Sequence, residues 1–341
     1  MSKKKKILIT GGCGFIGTNL ITYLLNKNYK ITNLDKISTY SNTKYKFNKK
    51  VEFIKDDLKN EKKLFDIVKK TKPDCLIHLA AETHVDRSID DSKDFIETNI
   101  FGTYNLLKSA QKYMKNNKKK FKFILMGTDE VYGDLSVKST IGFSERSQYK
   151  PNNPYSASKA AANHLARAWY NTYNLPIILI NCSNNFGPFQ FYEKLLPTTI
   201  FKINNNQPVG IYGDGKNERD WIYVIDHAIA IHKILLRGKI GETYNIGGEK
   251  SLSNLAFVNL VYKAFEEIIG KKIKKKIIFI KDRPGHDKKY LINANKIKKL
   301  GWQKKYKIFL GLKETIKWYL RKENLNYFKT KKYNFSRLGL K

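Results

Sequence analysis

A glycine-rich turn near the N-terminus constrains the fold of this chain more than any other feature of its sequence. The mostly apolar run at residues 7–10 leads into Gly11, Gly14 and Gly17, and a helical pattern over residues 15–26 follows without a break. Glycines at this spacing allow a tight turn, close approach of the backbone to a pyrophosphate, and close packing of the helix on the strand. The helix N-terminus would then face the phosphates. We therefore predict a dinucleotide site on a parallel α/β sheet, ahead of the alternative of an unliganded glycine turn.

The identity of the dinucleotide depends on the end of the next predicted strand. Asp35 ends that strand, 18 residues after the last glycine of the turn. A carboxylate there accepts hydrogen bonds from ribose hydroxyls and repels the 2′-phosphate of NADP. The sequence thus predicts NAD, although Lys36 beside it keeps NADP as the alternative. Further on, the Asp-Asp-Leu run at residues 56–58 can place a carboxylate near the adenine or cap a helix that begins near Asn60, and both readings stay open.

The first half of the chain alternates short apolar runs with longer amphipathic ones, which is the pattern of βαβ units and a parallel sheet. Strands are predicted at residues 7–10, 30–34, 51–55, 75–79, 121–126 and 177–180, and helices at residues 15–26, 61–71, 96–115 and 156–173. The expected fold is α/β, a Rossmann-like doubly wound parallel sheet with a smaller, mixed α/β portion towards the C-terminus. In that portion, the alternating Lys and Ile of residues 268–280 predict an exposed edge strand protected by its charges.

These patterns divide the chain into three parts. Residues 1–185 are predicted to form an NAD-binding Rossmann domain, with some later segments returning to it. Residues 186–323, which are less regular and contain more turns, are predicted to bind the substrate. Residues 324–341 form a C-terminal tail to which we assign no function.

The net charge of +35, from 65 basic and 30 acidic residues, is the strongest signal in the composition. Clustered positive charge can bind nucleic acid through counterion release. Lysine supplies nearly all of this excess, however, and lysines occur along the whole chain, as expected for a solvated coat encoded by a genome rich in A and T. Arginine, the usual residue for bidentate phosphate contacts, is scarce. We therefore predict no specific nucleic-acid partner, and a basic nucleic-acid-binding protein on a Rossmann fold is the distant alternative.

The three cysteines, Cys13, Cys75 and Cys182, lie far apart and show no C-x-x-C spacing. This arrangement predicts no disulfide framework and no metal site, and it favours a reducing compartment. No apolar stretch approaches the roughly 18 residues that a transmembrane helix needs. The apolar run near the N-terminus is also too short for a signal peptide. The sequence therefore predicts a cytoplasmic protein that does not bind membranes.

Tyr155 and Lys159 lie four residues apart on a predicted helix, so their side chains face the same way. A nearby ammonium group lowers the pKa of a phenol from about 10 towards the working range. The tyrosine can then take a proton from an alcohol while a hydride leaves to a nicotinamide. This spacing is common by chance in a lysine-rich chain. Its place after the predicted strand at residues 121–126, in a chain that also carries a dinucleotide motif, favours a catalytic role.

Thr128, Asp129 and Glu130 follow that same strand, at the carboxyl edge where doubly wound sheets place their ligands. A simple dehydrogenase needs only a hydroxyl here, which Thr128 supplies. Two adjacent carboxyl groups suit a reaction that both removes a carbon-bound proton and protonates a leaving hydroxyl. The structural alternative is a polar turn in which Asp129 caps a helix.

Together these motifs resemble the extended short-chain dehydrogenase/reductases and, within them, the family of dTDP-glucose 4,6-dehydratases. The resemblance is carried by Thr10-Gly-Gly-x-Gly-Phe-Ile-Gly17, Leu79-Ala-Ala-Glu-Thr-His-Val-Asp-Arg-Ser-Ile89, Thr128-Asp-Glu-Val-Tyr-Gly-Asp134, Pro154-Tyr-Ser-Ala-Ser-Lys159, Asn184-Asn-Phe-Gly-Pro188, Glu193-Lys-Leu-Leu-Pro197, Tyr212-Gly-Asp-Gly215, Arg219-Asp-Trp221 and Arg283-Pro-Gly-His-Asp287. These motifs occur in the order expected for the family. The Asp-Glu pair and the Arg-Pro-Gly-His-Asp run distinguish the 4,6-dehydratases from most epimerases of the superfamily.

The resemblance implies an oxidation, an elimination and a reduction at a glucose ring. Tyr155, supported by Lys159, would remove the 4-hydroxyl proton while hydride passes from C-4 to NAD⁺, and Thr128 would hold that oxygen. Glu130 would remove the C-5 proton, and Asp129 would protonate the 6-hydroxyl so that it leaves as water. Return of the hydride to C-6 would give a 4-keto-6-deoxy sugar. The cofactor would be regenerated in each turnover and stay tightly bound.

The resemblance also implies binding residues. Those expected around NAD, besides Tyr155 and Lys159, are Gly11, Gly14, Phe15, Ile16, Gly17, Asp35, Asp57, Leu58, Ala80, Ala81 and Asn99. Those expected around the nucleotide sugar are Thr83, Asp86, Asn184, Glu193, Lys194, Arg219, Asn254, Arg283 and His286. Family members commonly dimerise through two helices, here those predicted at residues 96–115 and 156–173, so a homodimer is expected.

Three positions depart from the family pattern. Gly127 stands where a serine is usual, Phe186 where a tyrosine is usual, and Asn293 where an aspartate is common. None of them is a proton-transfer group, so the chemistry is expected to survive. Gly127 and Phe186 leave open how the sugar and the base are packed.

Two neighbouring activities are the alternatives to a dTDP-glucose 4,6-dehydratase. The first is a UDP-glucose 4,6-dehydratase, because the sequence does not determine the nucleotide base. The second is a nucleotide-sugar 4-epimerase, which would use the same oxidation by Tyr155 without elimination. Glu130 discriminates against the epimerase, since that reaction has no need of a base at C-5.

Overall fold

The computed structural model describes residues 4–42, 49–116 and 121–329, with side chains up to residue 325. Most of the predicted C-terminal tail, residues 330–341, therefore lies outside the described residues. The strands are β1 (Lys5–Thr10), β2 (Tyr29–Asp35), β3 (Val51–Lys55), β4 (Cys75–His78), β5 (Lys122–Thr128), β6 (Ile177–Cys182), β7 (Asn184–Phe186), β8 (Val209–Tyr212), β9 (Glu218–Tyr223), β10 (Thr243–Ile246), β11 (Ser251–Ser253) and β12 (Ile277–Ile280). The helices are α1 (Phe15–Leu25), α2 (Glu61–Thr71), α3 (Val85–Asp90), α4 (Lys93–Phe95), α5 (Gly102–Lys115), α6 (Pro154–Tyr173), α7 (Leu195–Asn204), α8 (Val224–Arg237), α9 (Asn254–Ile269), α10 (Asn295–Lys298), α11 (Ile308–Leu320) and α12 (Lys322–Lys329).

A parallel sheet of seven strands forms the centre of the molecule, in the order β10-β6-β5-β4-β1-β2-β3. Strand order reverses at β1, which is the topology of a doubly wound Rossmann sheet. Successive side chains of a strand point to opposite faces, so Ile7 and Ile9 join the core under α1 and α8, whereas Leu8 joins the core under α2, α5 and α6. Both faces are covered, and the predicted fold class is confirmed.

A later segment completes this sheet. Strand β10 pairs with β6 from Thr243 to Ile246, and the preceding helix α8 packs beside α1. The chain thus returns to the central sheet after residue 185. The rest of the C-terminal portion builds two small sheets, β11-β9-β7 and β12-β8, around an aromatic core that includes Phe186, Trp221 and Phe257.

The predicted edge strand at residues 268–280 is wrong in its first half. Ile268 and Ile269 belong to the last turn of α9, which ends at Gly270 in the left-handed conformation (φ +71°). Only Ile277–Ile280 form a strand, and this strand pairs in parallel with β8 at an edge. The packing of a whole amphipathic helix outweighs a short alternation of Lys and Ile at its end.

Helix starts were the least accurate part of the prediction. The helix expected at residues 96–115 begins as a π-helical segment at Ile96–Phe101, which directly follows α4. It continues as α5. Helix α6 begins two residues before its predicted start, because Asn153 caps it and Pro154 occupies the first position. For α2 the cap is Asn60, whose side chain accepts from Lys63 N–H, so the helix-cap reading of Asp57 is wrong.

Two predicted absences concern the whole chain. All three cysteines lie within the described residues, where they are buried in the Rossmann part and form no disulfide. Within the described residues, no helix combines the length and the apolar character needed to cross a bilayer.

Candidate active site

A cleft runs along the carboxyl edge of the central sheet and is closed on its far side by the C-terminal portion. The Rossmann part contributes the glycine turn and the ends of β2, β4 and β5, and α6 contributes Tyr155 and Lys159. The segment between β6 and α7 forms the opposite wall. Of the residues predicted to bind ligands or to react, the cleft wall contains Gly11, Gly14, Phe15, Ile16, Gly17, Asp35, Asp57, Leu58, Ala80, Ala81, Thr83, Thr128, Asp129, Glu130, Tyr155, Lys159, Asn184, Glu193 and Lys194.

The glycine turn leaves no room for side chains. Gly11 has a φ of +73°, and a Cβ there would lie 2.6 Å from the backbone of Ala80. A Cβ on Gly17 would lie 2.3 Å from the Gly11 carbonyl oxygen, so helix and turn touch through backbone atoms. This is the close packing that the sequence predicted.

Replacing Gly17 by Ala is expected to lower the free energy of unfolding by about 1–3 kcal/mol, since backbone atoms must shift to admit the methyl group. The displaced turn should also weaken dinucleotide binding. Chemical denaturation and the amount of cofactor that co-purifies measure the two effects. Gly210→Ala is the matched control, because its Cβ would meet only Ile280 side-chain atoms at 3.4 Å or more. An unchanged stability and cofactor content in Gly17→Ala would contradict the tight packing of the turn.

Asp35 lies at the rim of the glycine turn. Its carboxylate accepts hydrogen bonds from Cys13 N–H (2.9 Å) and Ile37 N–H (2.8 Å), which hold it at the end of β2. Burial raises the pKa of Asp35, and the two backbone hydrogen bonds oppose that rise. Oδ1 also accepts from the Ser41 hydroxyl at 3.5 Å, whereas Oδ2 keeps a second lone pair that can accept from a ribose hydroxyl. The position is the one predicted for recognition of NAD.

Asn99 is the exception among the predicted cofactor residues, because it lies behind the cleft wall. Its amide exchanges hydrogen bonds with the backbone of Glu82 (2.9 and 3.0 Å) and donates to Ser158 Oγ (2.9 Å). The side chain thus ties the loop after β4 to the residue next to Lys159. The structure gives Asn99 a role in holding the wall, with no face of its own on the cleft.

Tyr155 and Lys159 lie on one face of α6, as their spacing predicted, and both are buried. Lys159 Nζ donates to the Met126 carbonyl oxygen at 2.7 Å, and burial lowers its pKa to about 8. The pKa of Tyr155 is raised well above its usual value, first by burial and then by the neighbouring charge of Glu130, whereas a hydrogen bond with Thr128 opposes the rise. The predicted lowering by Lys159 is not seen, because burial dominates this phenol.

Thr128, Asp129 and Glu130 occupy the end of β5 and a short 3₁₀ turn. Thr128 Oγ1 accepts from Glu130 N–H and contacts Asp129 Oδ1, both at 3.3 Å, so the threonine caps the turn and Asp129 does not. Asp129 Oδ2 and Glu130 Oε2 are buried and have no hydrogen-bond partner among the described residues. Two buried carboxyl groups with unused oxygens on a cleft wall are costly to keep, which favours a chemical role over a structural one.

The two carboxyl groups are in different electrostatic environments. The pKa of Asp129 is raised well above its usual value by burial, then by the charges of Glu130 and Asp220. Burial also raises the pKa of Glu130, but the positive charges of Arg283, Arg219 and Lys194 oppose this rise. Of the two, Asp129 therefore favours its protonated form more strongly, and Glu130 is the better base. An acid and a base side by side can protonate a leaving group and remove a carbon-bound proton.

Asp86 joins the Rossmann part to the C-terminal portion. It accepts from Arg283 Nη1 at 2.8 Å and from the Tyr212 hydroxyl at 2.7 Å. Burial pushes its pKa up, but the charge of Arg283 and these hydrogen bonds outweigh burial and hold the pKa below its usual value. Arg283 keeps a buried Nε without a hydrogen-bond partner in the described part of the chain. A free planar donor suits an anionic ligand.

The other predicted substrate residues divide between the cleft wall and the region behind it. Lys194 Nζ donates to the Thr83 carbonyl oxygen at 2.8 Å, and Asn184 Oδ1 is buried without a partner within the described residues. The guanidinium of Arg219 already makes contacts within the protein, since it donates to the Asp287 carbonyl oxygen at 2.9 Å and stacks on Tyr290. The residues outside the cleft wall are Asp86, Arg219, Asn254, Arg283 and His286. Of these, His286 pairs with Asp282, and Asn254 begins α9.

The three unusual positions have different surroundings. A Cβ on Gly127 would lie 2.3 Å from Asn181 Oδ1, so this glycine lets β5 approach a buried polar side chain. Phe186 is fully buried in the aromatic core and does not line the cleft. Asn293 Oδ1 accepts from Asn295 N–H at the start of α10. Only Gly127 therefore adjoins the reacting groups.

The cleft wall also contains residues that the sequence analysis did not single out. Tyr40, Glu82 and Arg87 lie on one side, and Ser183 and Gln190 on the other. Glu82 and Arg87 stand within a motif that was quoted, but nothing in its local pattern showed that they would face the cleft. A cluster of three or more His, Cys, Asp or Glu side chains that could hold a metal ion is absent from the described residues.

Comparison with known proteins shows what the chain resembles as a whole. The family model described as GDP-mannose 4,6 dehydratase matches residues 8–315. The dTDP-glucose 4,6-dehydratase of Haemophilus influenzae is 44% identical over 330 residues, which cover 92% of this chain and 97% of that protein. The structure of dTDP-glucose 4,6-dehydratase from Bacillus anthracis in complex with NAD is 38% identical, covers 96% of this chain and 100% of its own, and superposes with a TM-score of 0.84. For the Streptomyces venezuelae enzyme of the same name, also with NAD bound, the identity is 32%, the coverage 96% and 100%, and the TM-score 0.86.

Proposed function

This chain belongs to the family described as GDP-mannose 4,6 dehydratase and, within it, to the dTDP-glucose 4,6-dehydratases, and we propose on this basis that it converts dTDP-glucose to the 4-keto-6-deoxy sugar and water. The resemblance read from the motifs is thereby confirmed. The enzyme is an NAD-dependent lyase of the hydro-lyase type. The single observation that carries the dehydratase chemistry is the buried pair Asp129 and Glu130, each with an unused carboxylate oxygen.

The glycine turn and its surroundings fit NAD. A Cβ at Gly11 or Gly17 would fill the cradle, and Asp35 stands where it can accept from the adenosine ribose. The proposed cofactor wall also includes Gly14, Phe15, Ile16, Asp57, Leu58, Ala80 and Ala81. When held by these residues, NAD would supply the acceptor for the hydride from C-4 and the donor of the hydride to C-6.

We assign the proton transfers to residues on α6 and at the end of β5. Tyr155 takes the proton of the 4-hydroxyl, and Thr128 holds that oxygen at the place where the chain already brings the two side chains together. Lys159 is fixed by the Met126 carbonyl and supplies positive charge that favours the phenolate as it forms.

Elimination needs a base and an acid at adjacent carbons. The ketone at C-4 acidifies the C-5 proton, which Glu130 removes and then returns to C-5 when the hydride is delivered to C-6. Asp129, whose pKa burial raises, donates a proton to the 6-hydroxyl, which leaves as water. The proton that Tyr155 takes from the 4-hydroxyl balances the one that leaves with water. Asp129 is buried, which keeps bulk water away from the proton that it donates to the sugar.

We place the nucleotide diphosphate against Arg283, Arg219 and Lys194. These residues belong to the C-terminal portion, and their positive charges oppose the rise that burial causes in the pKa of Glu130. The same proposed subsite includes Asn184, Glu193, Asn254 and His286. Its sugar side is formed by Thr83 and Asp86. On this assignment residues 1–185 with β10 and α8 bind NAD, and residues 186–323 supply most contacts to the nucleotide sugar.

The direct test is a panel of nucleotide sugars. Purified protein incubated with dTDP-glucose, without added reductant, should form the keto product that absorbs in alkali. The kcat/KM for dTDP-glucose should exceed those for UDP-, CDP- and GDP-glucose. A higher value for UDP-glucose would overturn the base assignment, and absence of product from every sugar would overturn the function.

We also propose a cytoplasmic homodimer. Support for the dimer comes from apolar side chains that are exposed on and before the two helices expected at the interface, namely Phe101 (58% exposed), Ile96 (42%) and Tyr173 (42%). Support for the location comes from the three cysteines, which form no disulfide and which a reducing compartment would keep as thiols. Sedimentation equilibrium tests the dimer, and a monomer across the micromolar range would contradict it.

A further inference from the structure

Arg87 occupies the point where three segments of the cleft wall meet. Its guanidinium lies over the Tyr40 ring, 4.1 Å from the ring centroid. Its Nη1 is 3.5 Å from Glu82 Oε2, and its Nε is 3.7 Å from Glu193 Oε2. The assigned proton transfers use none of these contacts.

The segments that Arg87 joins lie on different sides of the cleft. Tyr40 belongs to the segment that follows β2 directly after Asp35, and this segment therefore adjoins the adenosine side. Glu193 precedes α7 and belongs to the proposed sugar-nucleotide side. A second contact supports the first segment, since Lys36 Nζ is 3.1 Å from Glu82 Oε1. Arg87 thus connects the wall around the cofactor to the wall around the substrate.

The surroundings of Arg87 are arranged to hold it there. His84 caps α3 by accepting from Arg87 N–H at 3.3 Å through Nδ1, so its other ring nitrogen carries the hydrogen. Burial, followed by the positive charge of Lys194, lowers the pKa of His84 to about 3, and the ring is neutral. Asn99 holds the backbone of Glu82 on both its N–H and its carbonyl.

The contact with Glu193 is different in kind. Arg87 Nε and Glu193 Oε2 are both buried, and neither has a hydrogen-bond partner within the described residues. Their separation of 3.7 Å gives attraction without a hydrogen bond. Such a contact can open at lower cost than a hydrogen-bonded ion pair, which suits a wall that must admit ligands.

From these contacts we infer that Arg87 is a positioning residue that fastens the Tyr40 segment to the Glu193 segment and thereby retains the dinucleotide through the whole reaction. The inference rests on the proposed function. In that reaction the same cofactor molecule is reduced and then oxidised within one turnover. If the reduced cofactor dissociated between the two steps, the oxidised sugar would be left without a hydride donor. Slow dissociation of the cofactor therefore matters more here than in a simple dehydrogenase.

The test is the rate constant for NAD dissociation, measured by exchange of bound labelled NAD against excess unlabelled NAD. Arg87→Met and Tyr40→Leu should each raise this rate constant by about tenfold, as loss of a partly buried cation–π contact predicts. The effects of the two changes on the logarithm of the rate constant should be less than additive in the double variant, because both remove the contact between Arg87 and Tyr40. With saturating NAD, turnover should return close to the parent value. Arg321→Met, at an exposed arginine outside the cleft, is the matched control.

The outcomes separate this inference from the proposed function. An unchanged dissociation rate in Arg87→Met, additive effects in the double variant, or a low kcat that saturating NAD does not restore would each overturn the role of Arg87. A parent protein that neither holds NAD nor forms product would overturn the proposed function instead. If Arg87→Met does not fold, Arg87→Lys keeps the charge without the planar face and should still dissociate NAD faster than the parent.

Discussion

Glu130→Gln should lower kcat for the keto product by about 10²- to 10⁴-fold, the usual contribution of a positioned general base. The amide cannot accept the C-5 proton, whereas Tyr155 and Thr128 are untouched, so the oxidation at C-4 should still occur. Addition of dTDP-glucose should therefore produce the near-ultraviolet absorbance of a reduced nicotinamide that persists. Exchange of the C-5 hydrogen with solvent deuterium should be lost. Because Glu130 Oε2 has no hydrogen-bond partner among the described residues, the change should leave stability nearly unaltered.

Two further variants make this result specific. Glu314→Gln removes an exposed carboxylate on α11 and should behave like the parent. Asp129→Asn should keep exchange at C-5 and lose the elimination of water, since the base remains and the acid is gone. If Glu130→Gln formed product at the parent rate, or if it lost C-4 oxidation together with elimination, the base would have to be another group.

The parts of the fold that could be predicted from the sequence are those with short-range causes. The strand at residues 51–55 and the helix at residues 61–71 were predicted with their observed ends. Apolar periodicity, caps and glycine turns act over a few residues, so a single sequence contains their full description. The glycine turn is the strongest example, because a Cβ on Gly17 would meet the Gly11 carbonyl oxygen, six residues away in the sequence, at 2.3 Å.

The predictions became less accurate where a distant segment decides the local structure. The π-helical segment at Ile96–Phe101 carries Asn99, whose side chain is committed to Glu82 and Ser158. Helical periodicity at residues 96–115 is the same with or without such a bulge. The lysine–isoleucine alternation at residue 268 likewise gives no sign that α9 continues to Ile269.

In the active site, too, contacts between distant residues could not be predicted from the sequence. Tyr155 and Lys159 share a helix, so their common face follows from their spacing. The pair of Arg283 and Asp86 joins residues that are 197 positions apart, and no local pattern predicts it. The pKa of Tyr155 was predicted from one neighbour, whereas burial, which depends on the whole fold, outweighs that neighbour.

Tyr155→Phe should abolish the reaction at its first step, with a fall in kcat of about 10²- to 10⁴-fold. Without the phenol oxygen nothing takes the 4-hydroxyl proton, so no ketone forms at C-4. The C-5 proton then stays unacidified, although Glu130 and Asp129 are intact. Addition of substrate should give neither the absorbance of reduced nicotinamide nor exchange at C-5, which separates this variant from Glu130→Gln.

Replacing Tyr155 by Phe should leave the packing of the ring unchanged. Its ring lies edge-on against Phe95, with centroids 6.3 Å apart, and phenylalanine preserves that contact. Substrate binding, followed by isothermal titration, should change little. Tyr173→Phe, at the exposed end of the same helix, is the control and should retain parent activity. Since oxidation is the step that makes elimination possible, any solvent exchange at C-5 in Tyr155→Phe would mean that the proton is removed without a ketone, and the order of steps assigned to this cleft would be wrong.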